Sequence, residues 1–317
     1  MNGIANECQV GMKWRIKEDY LKKNVRICSE KFTASSIPGV KYFLSLNWDE
    51  YNHDELKICL NLEFKFTKRI QASIDIYVKA FHEKHFPGDY CYHNSGGGWT
   101  RTIDTRNYIF NPQERYFVDG IVEIEFDGTL ESHGIKRKAS QSCKTLGNAY
   151  WKRNDKDLTM IVEKQRLKIH KWVICDKSSV FKAEMESGLK ESVENVINIT
   201  DFSFEIVKMA LMFCYEQNIT ESFIKENASE LIRFADKYDI KSSHEYIQHV
   251  LIKTLSEVNV VEFANISITY NAEELCEYCI CFLTNAIKKK IIINDAKKIS
   301  AEITNEICQR SILSTSN

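Results

Sequence analysis

Apolar and polar residues alternate through much of the chain from about Trp14 to Phe126. Leu56–Leu62, Ile74–Ala80 and Val122–Phe126 are clear examples, because every second residue in each run is apolar. A period of two is typical of β-strands that bury one face. Clusters of Gly, Pro, Ser, Asn and Asp separate the runs and mark turns. The pattern predicts several antiparallel strands folded as a β-sandwich.

The pattern changes in the middle of the chain. Residues 131–145 are polar, lack periodicity and carry the basic triplet Lys136–Lys138, which predicts a linker. We interpret the triplet as solvated linker charge, with a nuclear localisation signal as the alternative. Short strand-like runs follow at Leu158–Val162, Arg166–His170 and Val196–Ile199. They predict a module of mixed α/β structure.

Helical spacing dominates after this module. Ser203 is a suitable N-cap for a helix that reaches about Tyr215, with Glu205 in its first turn. A second helix is predicted by apolar residues at three- and four-residue steps, namely Ala228, Leu231, Phe234, Ala235 and Tyr238. Further helical stretches extend to about Lys290. The sequence therefore predicts an α+β multidomain protein: a sandwich, a linker, a mixed module and a helical extension.

Composition narrows the classes of protein. At 317 residues the chain is longer than one hydrophobic core usually supports. Lys and Arg total 43 against 44 Asp and Glu, so the chain lacks the basic excess expected of a nucleic-acid binder. No run approaches the ~20 apolar residues of a membrane helix. The 11 cysteines, an odd number in a large chain, indicate reduced core thiols. We expect an intracellular, soluble protein, in the nucleus or the cytoplasm, without nucleic-acid or membrane partners.

The middle of the chain resembles a BTB/POZ domain. The resemblance is carried by Lys156–Val162, Leu167–Ile174, Lys177–Ala183, Gly188–Ser192 and Ala235–Tyr238, in that order. It covers about residues 143–255.

The N-terminal part resembles a MATH (TRAF-like) domain, an antiparallel sandwich. The matching pieces are Lys13–Ile16, Lys31–Phe32, Tyr42–Leu46, Gly98–Trp99 and Tyr116–Gly120. Together the two resemblances imply a MATH domain over 8–130, a linker over 131–142, a BTB/POZ domain over 143–255 and a helical, BACK-like extension over 256–317.

The resemblance to MATH–BTB proteins implies a function. In that family the MATH domain binds a short linear degron of a substrate protein, and the BTB domain dimerises and docks cullin-3 of a RING ubiquitin ligase. It implies a homodimer, or a heterodimer with related BTB proteins, with no catalytic residues and no cofactor. Two alternatives stay open: a dimeric scaffold that does not engage cullin, and an enzyme that uses one of the cysteines.

Five positions of the BTB part match family positions. Leu189 and Glu191 match the hydrophobic-x-Glu element that docks cullin, with an exposed turn without a partner as the alternative. Asp157 and Lys177 match an acidic and basic pair near the dimer interface, although a structural ion pair within one module explains them equally well. His170 matches a family histidine that we interpret as a core residue.

The substrate groove of the family maps onto five positions of the MATH part. Trp99 falls on the groove tryptophan, and Tyr92, or else Tyr90, falls near a second groove aromatic. Arg101 replaces an aromatic, and Cys59 and Ile74 stand where aromatics are expected. Because large aromatic faces are lost, we expect a peptide-binding sandwich that does not prefer the family's serine-rich degron.

A zinc site is considered and rejected. Cys276, Cys279 and Cys281 follow a CxxCxC spacing, but a structural zinc site needs four ligands and only Cys308 lies downstream. His82 and His85 have no cysteine or carboxylate cluster nearby. The sequence therefore predicts core thiols and no metal.

Overall fold

The structure is a computed structural model that describes residues 7–49, 54–80, 83–135, 146–217 and 219–315. The chain divides into two compact units. The first contains the N-terminal strands together with residues 280–293 and those from 300 onward. The second contains the middle of the chain up to Cys279, with residues 294–299.

The described residues of the first unit contain nine strands. They are β1 (Glu7–Lys17), β2 (Arg26–Cys28), β3 (Phe32–Thr33), β4 (Val40–Trp48), β5 (Glu55–Phe64), β6 (Thr67–Lys79), β7 (Lys84–Tyr92), β8 (Gly96–Thr105) and β9 (Ile121–Ile135). Two short helices, α1 (Glu18–Lys23) and α2 (Arg106–Ile109), and a 3₁₀ turn at Pro112–Glu114 lie between them.

The strands form two antiparallel sheets. One has the order β1-β9-β6-β7; the other has the order β2-β4-β5-β8, with β3 also paired to β4. Alternate residues of both sheets, such as Leu60 on β5 and Ile74 on β6, belong to one buried core. The period-two pattern is explained by this arrangement, and the predicted antiparallel sandwich is confirmed.

Strand β9 extends further than the alternation suggested. His133 pairs with Arg69 of β6, and Ile135 pairs with Thr67. The first residues of the predicted linker, 131–135, are therefore strand, and the basic triplet at 136–138 lies outside the described residues.

The second unit has a small sheet surrounded by helices. Its elements are α3 (Leu146–Trp151), β10 (Leu158–Val162), β11 (Gln165–Ile169), α4 (Lys171–Lys177), α5 (Ser179–Glu186), α6 (Lys190–Glu194), β12 (Val196–Ile199), α7 (Phe204–Cys214), α8 (Glu221–Glu226), α9 (Ala228–Lys237), α10 (Lys241–Lys253) and α11 (Val260–Thr269). Strand β10 pairs antiparallel with β11 and parallel with β12.

Local signals explain where the helices begin and what they bury. The Ser203 hydroxyl accepts a hydrogen bond from the Ile206 amide at 3.4 Å, so it caps α7 as predicted. Helix α9 buries Leu231, Phe234 and Ala235 on the predicted face. Both helix predictions are confirmed.

Three helical segments complete the chain: α12 (Glu273–Lys288), a 3₁₀ turn at Ala296–Lys298 and α13 (Ala301–Thr315). The predicted extension at 256–317 is divided between the two units. Within the first unit, the Ser36 hydroxyl lies 3.1 Å from the Asn285 Oδ1. None of the helices in the described ranges is both long enough and apolar enough to span a membrane.

Candidate protein-binding sites

Strands β7 and β8 meet at the open side of the sandwich. Each is the last strand of its sheet, so each has one edge without a partner strand among the described residues. A turn at residues 93–95 connects them. We call the space between them the β7–β8 seam, lined by Gly88, Tyr90 and Tyr92 on β7 and by Gly98, Trp99 and Arg101 on β8.

Two of the predicted groove aromatics are buried at this seam. The Tyr92 hydroxyl donates to the Leu60 carbonyl at 2.7 Å and accepts from the Trp99 amide at 3.4 Å. Burial raises the pKa of Tyr92. Trp99 is 2% exposed. Both rings therefore join β8 to the core.

The other predicted groove positions differ in exposure. Ile74 and Cys59 are buried, whereas Arg101 is exposed. Tyr90, the alternative to Tyr92, is 40% exposed and stands edge-on to Tyr92 with the ring centroids 4.8 Å apart. Arg101 and Tyr90 are thus the accessible members of the predicted set, and the groove assignment stays a prediction.

Glycines make room for these rings. A β-carbon on Gly88 would lie 2.4 Å from the Trp99 Nε1, and one on Gly98 would lie 2.3 Å from Tyr90. Both distances are shorter than a van der Waals contact, so a side chain at either position would require the neighbouring ring to move. The absence of a side chain at Gly98 therefore lets Tyr90 lie across the seam.

The Arg101 guanidinium lies over an aromatic ring. It is 5.2 Å from the centre of the Trp99 ring, and its Nη1 donates to the Thr100 carbonyl at 3.1 Å. Contact with the indole face orients the guanidinium through a cation–π interaction.

A polar cluster closes one end of the seam. The Lys84 ammonium on β7 donates to the Ile103 carbonyl at 2.9 Å and to the Asp104 carboxylate on β8. The Tyr116 hydroxyl donates to the same carboxylate at 3.0 Å. Burial by itself raises the pKa of Asp104, but bonds from Lys84, the Thr105 amide and Tyr116 outweigh it, so the pKa is lowered. Sequence reasoning missed this cluster because its members are joined only by the seam.

The predicted cullin-docking residues lie after α5. Gly188 has φ +73°, a left-handed conformation that favours glycine, and it turns the chain so that Leu189 is 64% exposed. Glu191 is half-buried near Glu184, whose pKa is raised by burial and by the charge of Glu191. The position is accessible to a partner.

Val193 extends this surface and was not predicted. It is 73% exposed, and its amide donates to the Leu189 carbonyl at 3.1 Å. The two side chains are therefore one helical turn apart on α6 and its N-cap. We call this pair the Leu189–Val193 ridge. The signal that sequence reasoning overlooked was the four-residue spacing of two apolar residues in a polar stretch.

Asp157 and Lys177 each contact another residue. The Asp157 carboxylate accepts from the Lys171 amide at 2.8 Å, at the start of α4, and the Lys177 ammonium lies 3.2 Å from Asp176. Their role at a dimer interface stays a prediction. The Asp176 side chain is exposed.

His170 is a buried, hydrogen-bonded residue, as predicted. Its Nδ1 lies 2.9 Å from the Tyr215 hydroxyl and its Nε2 lies 3.1 Å from Asp155. The pKa of Asp155 is lowered by Arg153 and then by His170. Burial raises the pKa of Tyr215 to about 12.

Some of the cysteines have the properties of core thiols, whereas Cys28 and Cys308 are exposed and Cys276 is half-buried. Cys279 and Cys281 on α12 are buried. Burial raises the pKa of Cys214 to about 12 and also raises that of Cys175, which disfavours the reactive thiolate. In the described ranges, no three His, Cys, Asp or Glu residues cluster as metal ligands.

Comparisons with known proteins identify a BTB/POZ domain within the second unit. The model of the BTB/POZ domain family matches residues 148–255. "BTB and MATH domain-containing protein 42" of Caenorhabditis elegans is 29% identical over 164 residues, which are 50% of this chain and 40% of that protein. "TD and POZ domain-containing protein 3" of Mus musculus is 26% identical over 152 residues, 46% of this chain and 42% of that protein.

Two further matches concern BTB proteins. "BTB/POZ domain-containing protein 9" of Drosophila melanogaster is 24% identical over 155 residues, 49% of this chain and 21% of that protein. The match to the solved BTB domain of zebrafish PATZ1 covers 31% of this chain and 76% of that structure. The sequence identity is 21% and the TM-score is 0.27. The matched segments span less than half the length of the three curated relatives. The chain therefore contains a BTB/POZ domain, and its relatives are consistent with the MATH–BTB family.

Proposed function

We propose that this chain is a non-enzymatic adaptor that recruits substrate proteins to a cullin-3 RING ubiquitin ligase, in the nucleus or the cytoplasm. In this proposal the sandwich is a MATH domain that binds a short degron, and the BTB/POZ domain dimerises and docks cullin-3. The observation that carries it is the Leu189-x-Glu191 element, with Leu189 exposed, on a BTB/POZ domain that follows an open-edged sandwich.

The open edges of the sandwich suit a peptide ligand. An edge strand presents backbone N–H and C=O groups that an extended peptide can pair with, and neighbouring side chains then give specificity. Strands β7 and β8 are both edges, and Tyr90 and Arg101 lie exposed beside them. A client peptide would bind along this seam.

The Leu189–Val193 ridge suits a protein partner. An exposed apolar side chain stabilises a complex when it fills a pocket of the partner, while a polar residue at the rim sets orientation. Leu189 and Val193 would supply the apolar contact and Glu191 the rim contact. A dimer would hold two sandwiches, which raises the affinity for substrates that carry several degrons.

A cullin-independent dimeric scaffold is the second candidate. Trp172 is exposed on α4 and packs edge-on against Tyr150, with the ring centroids 5.5 Å apart. Exposed aromatic residues are enriched at protein interfaces. The surface around Trp172 would support self-association, or binding of another partner, without contacts from the Leu189–Val193 ridge.

Capture of cullin-3 tests the proposal. The full chain is immobilised, and binding of purified cullin-3 is compared between wild type and the double variant Leu189→Asp, Glu191→Lys. Val258→Asp is the matched control, because Val258 is another exposed apolar residue of the same unit. We expect wild type and control to bind and the double variant to lose binding. A wild-type chain that dimerises in a sizing column without binding cullin-3 would favour the scaffold.

A further inference from the structure

Arg101 differs in its partners from several arginines of the chain, although Arg106 has similar ones, since it lies over the Trp48 ring and donates to the Lys22 carbonyl. Arg15, Arg153 and Arg233 each pair with a carboxylate, at distances of 3.1, 2.5 and 2.9 Å. Among the described residues, the guanidinium of Arg101 contacts the Trp99 ring and the Thr100 carbonyl, and neither carries a charge. The positive charge is exposed and is not neutralised by a contact at the seam.

The guanidinium is also oriented before any ligand arrives. It lies over the ring of a tryptophan that is itself buried, so the ring supports it from one side. Lys84, the other cation near the seam, is neutralised by Asp104. A planar guanidinium with free N–H groups binds carboxylates and phosphates through two parallel hydrogen bonds.

We propose that Arg101 selects client peptides that carry an anionic side chain, either Asp or Glu or a phosphorylated residue. The inference rests on the proposed binding of an extended peptide at the β7–β8 seam. The peptide's anionic side chain pairs with the Arg101 guanidinium over Trp99. An apolar side chain of the same peptide packs on the exposed face of Tyr90.

The seam also sets the spacing of these two side chains. Tyr90 contacts β8 at Gly98, three residues before Arg101. At ~3.4 Å per residue this corresponds to roughly 10 Å along the strand. The apolar and anionic residues of an extended client should therefore lie about two to four positions apart.

A selected-peptide experiment tests the inference. A phage-displayed library of random peptides is panned against the full-length chain, and the strongest binders are synthesised. Each is made with Asp, Asn or phosphoserine at the enriched position, and affinities are measured by fluorescence anisotropy for wild type, Arg101→Gln and Arg101→Lys. Arg15→Gln is the matched control, because Arg15 is an exposed arginine on β1 of the opposite sheet.

The expected result is an enriched acidic residue whose replacement by Asn weakens binding about tenfold, an effect that Arg101→Gln abolishes and Arg15→Gln does not. Arg101→Lys should lose part of the affinity because it cannot form two parallel bonds. The Asp and phosphoserine peptides distinguish the two sources of negative charge.

Two results would overturn the inference. Peptides that bind the sandwich without acidic enrichment, and with equal affinity for Arg101→Gln, would refute it and leave the proposed adaptor function intact. Absence of any selected peptide, with cullin-3 binding retained, would refute both the inference and the peptide-binding role of the sandwich.

Discussion

A buried serine on α10 gives a quantitative test of the packing in the BTB/POZ domain. Ser243 is 3% exposed, and its hydroxyl has no hydrogen-bond partner among the described residues. It faces a cavity of about 10 Å³ lined by apolar side chains that include Phe213, Ile224 and Leu231. A buried hydroxyl without a partner costs about 1–3 kcal/mol of folding free energy. Ser243→Ala should therefore stabilise the protein.

The magnitude follows from two opposing effects. Removal of the hydroxyl relieves the desolvation cost, whereas the enlarged cavity costs about 0.3 kcal/mol, at ~24 cal/mol per Å³ for roughly 12 Å³ of oxygen. The net gain is about 0.7–2.7 kcal/mol. For a cooperative unit of about 150 residues or more this raises the melting temperature by about 1–11 °C.

The assay is calorimetry of the full chain, with Ser242→Ala as the matched control. Ser242 is the neighbouring residue of the same helix but is exposed, so its replacement reports the helix propensity of alanine alone. The melting temperature of Ser243→Ala should rise more than that of Ser242→Ala, and the difference should equal the increase given above. Equal shifts, or a loss of stability on Ser243→Ala, would show that the hydroxyl is satisfied in solution and would refute the reasoning.

Three further predictions address the seam and the ridge. Gly88→Ala should destabilise the sandwich by about 1–3 kcal/mol in urea unfolding, because the alanine β-carbon would meet the buried Trp99. An unchanged midpoint of unfolding would show that the indole can move. Because the pKa of Asp104 is lowered, its contribution to stability is present above the ordinary aspartate pKa of about 3.9 and is lost as pH falls through the lower folded value. Between about pH 5 and pH 3 the melting temperature of wild type should therefore fall more than that of Asp104→Asn, and equal slopes would contradict this account. Val193→Asp should weaken cullin-3 binding about fivefold in surface plasmon resonance without lowering the melting temperature, because Val193 is exposed; full binding would remove it from the docking surface.

The candidate sites were only partly predictable because exposure depends on packing. Trp99 and Arg101 lie two residues apart on one strand, yet the first is buried and the second is exposed. A period-two pattern assigns both to the same face. Their difference depends on where β7 covers β8, and the clearance at Gly88 and Gly98 decides that.

The Leu189–Val193 ridge and the Asp104 cluster also differ in how far the local sequence indicates them. Leu189 and Val193 are local in sequence, so a four-residue spacing within a polar stretch was available as a signal. Lys84 and Asp104 are 20 residues apart and meet because two edge strands come together, and Tyr116, 12 residues after Asp104, joins them from the segment before β9. Nothing in their local sequence indicates the contact.

The sequence by itself determined the elements and the class of fold. Alternation in the N-terminal part and the Ser203 cap with its helical spacing are local properties, because they depend on the period of each element and on side chains within one turn. Only the tertiary structure decided which aromatic rings are core, that Arg101 contacts Trp99, and that the Ser243 hydroxyl lacks a partner among the described residues. The reason is that burial and pairing are properties of surfaces brought together from distant parts of the chain, and the linear pattern does not contain their contacts.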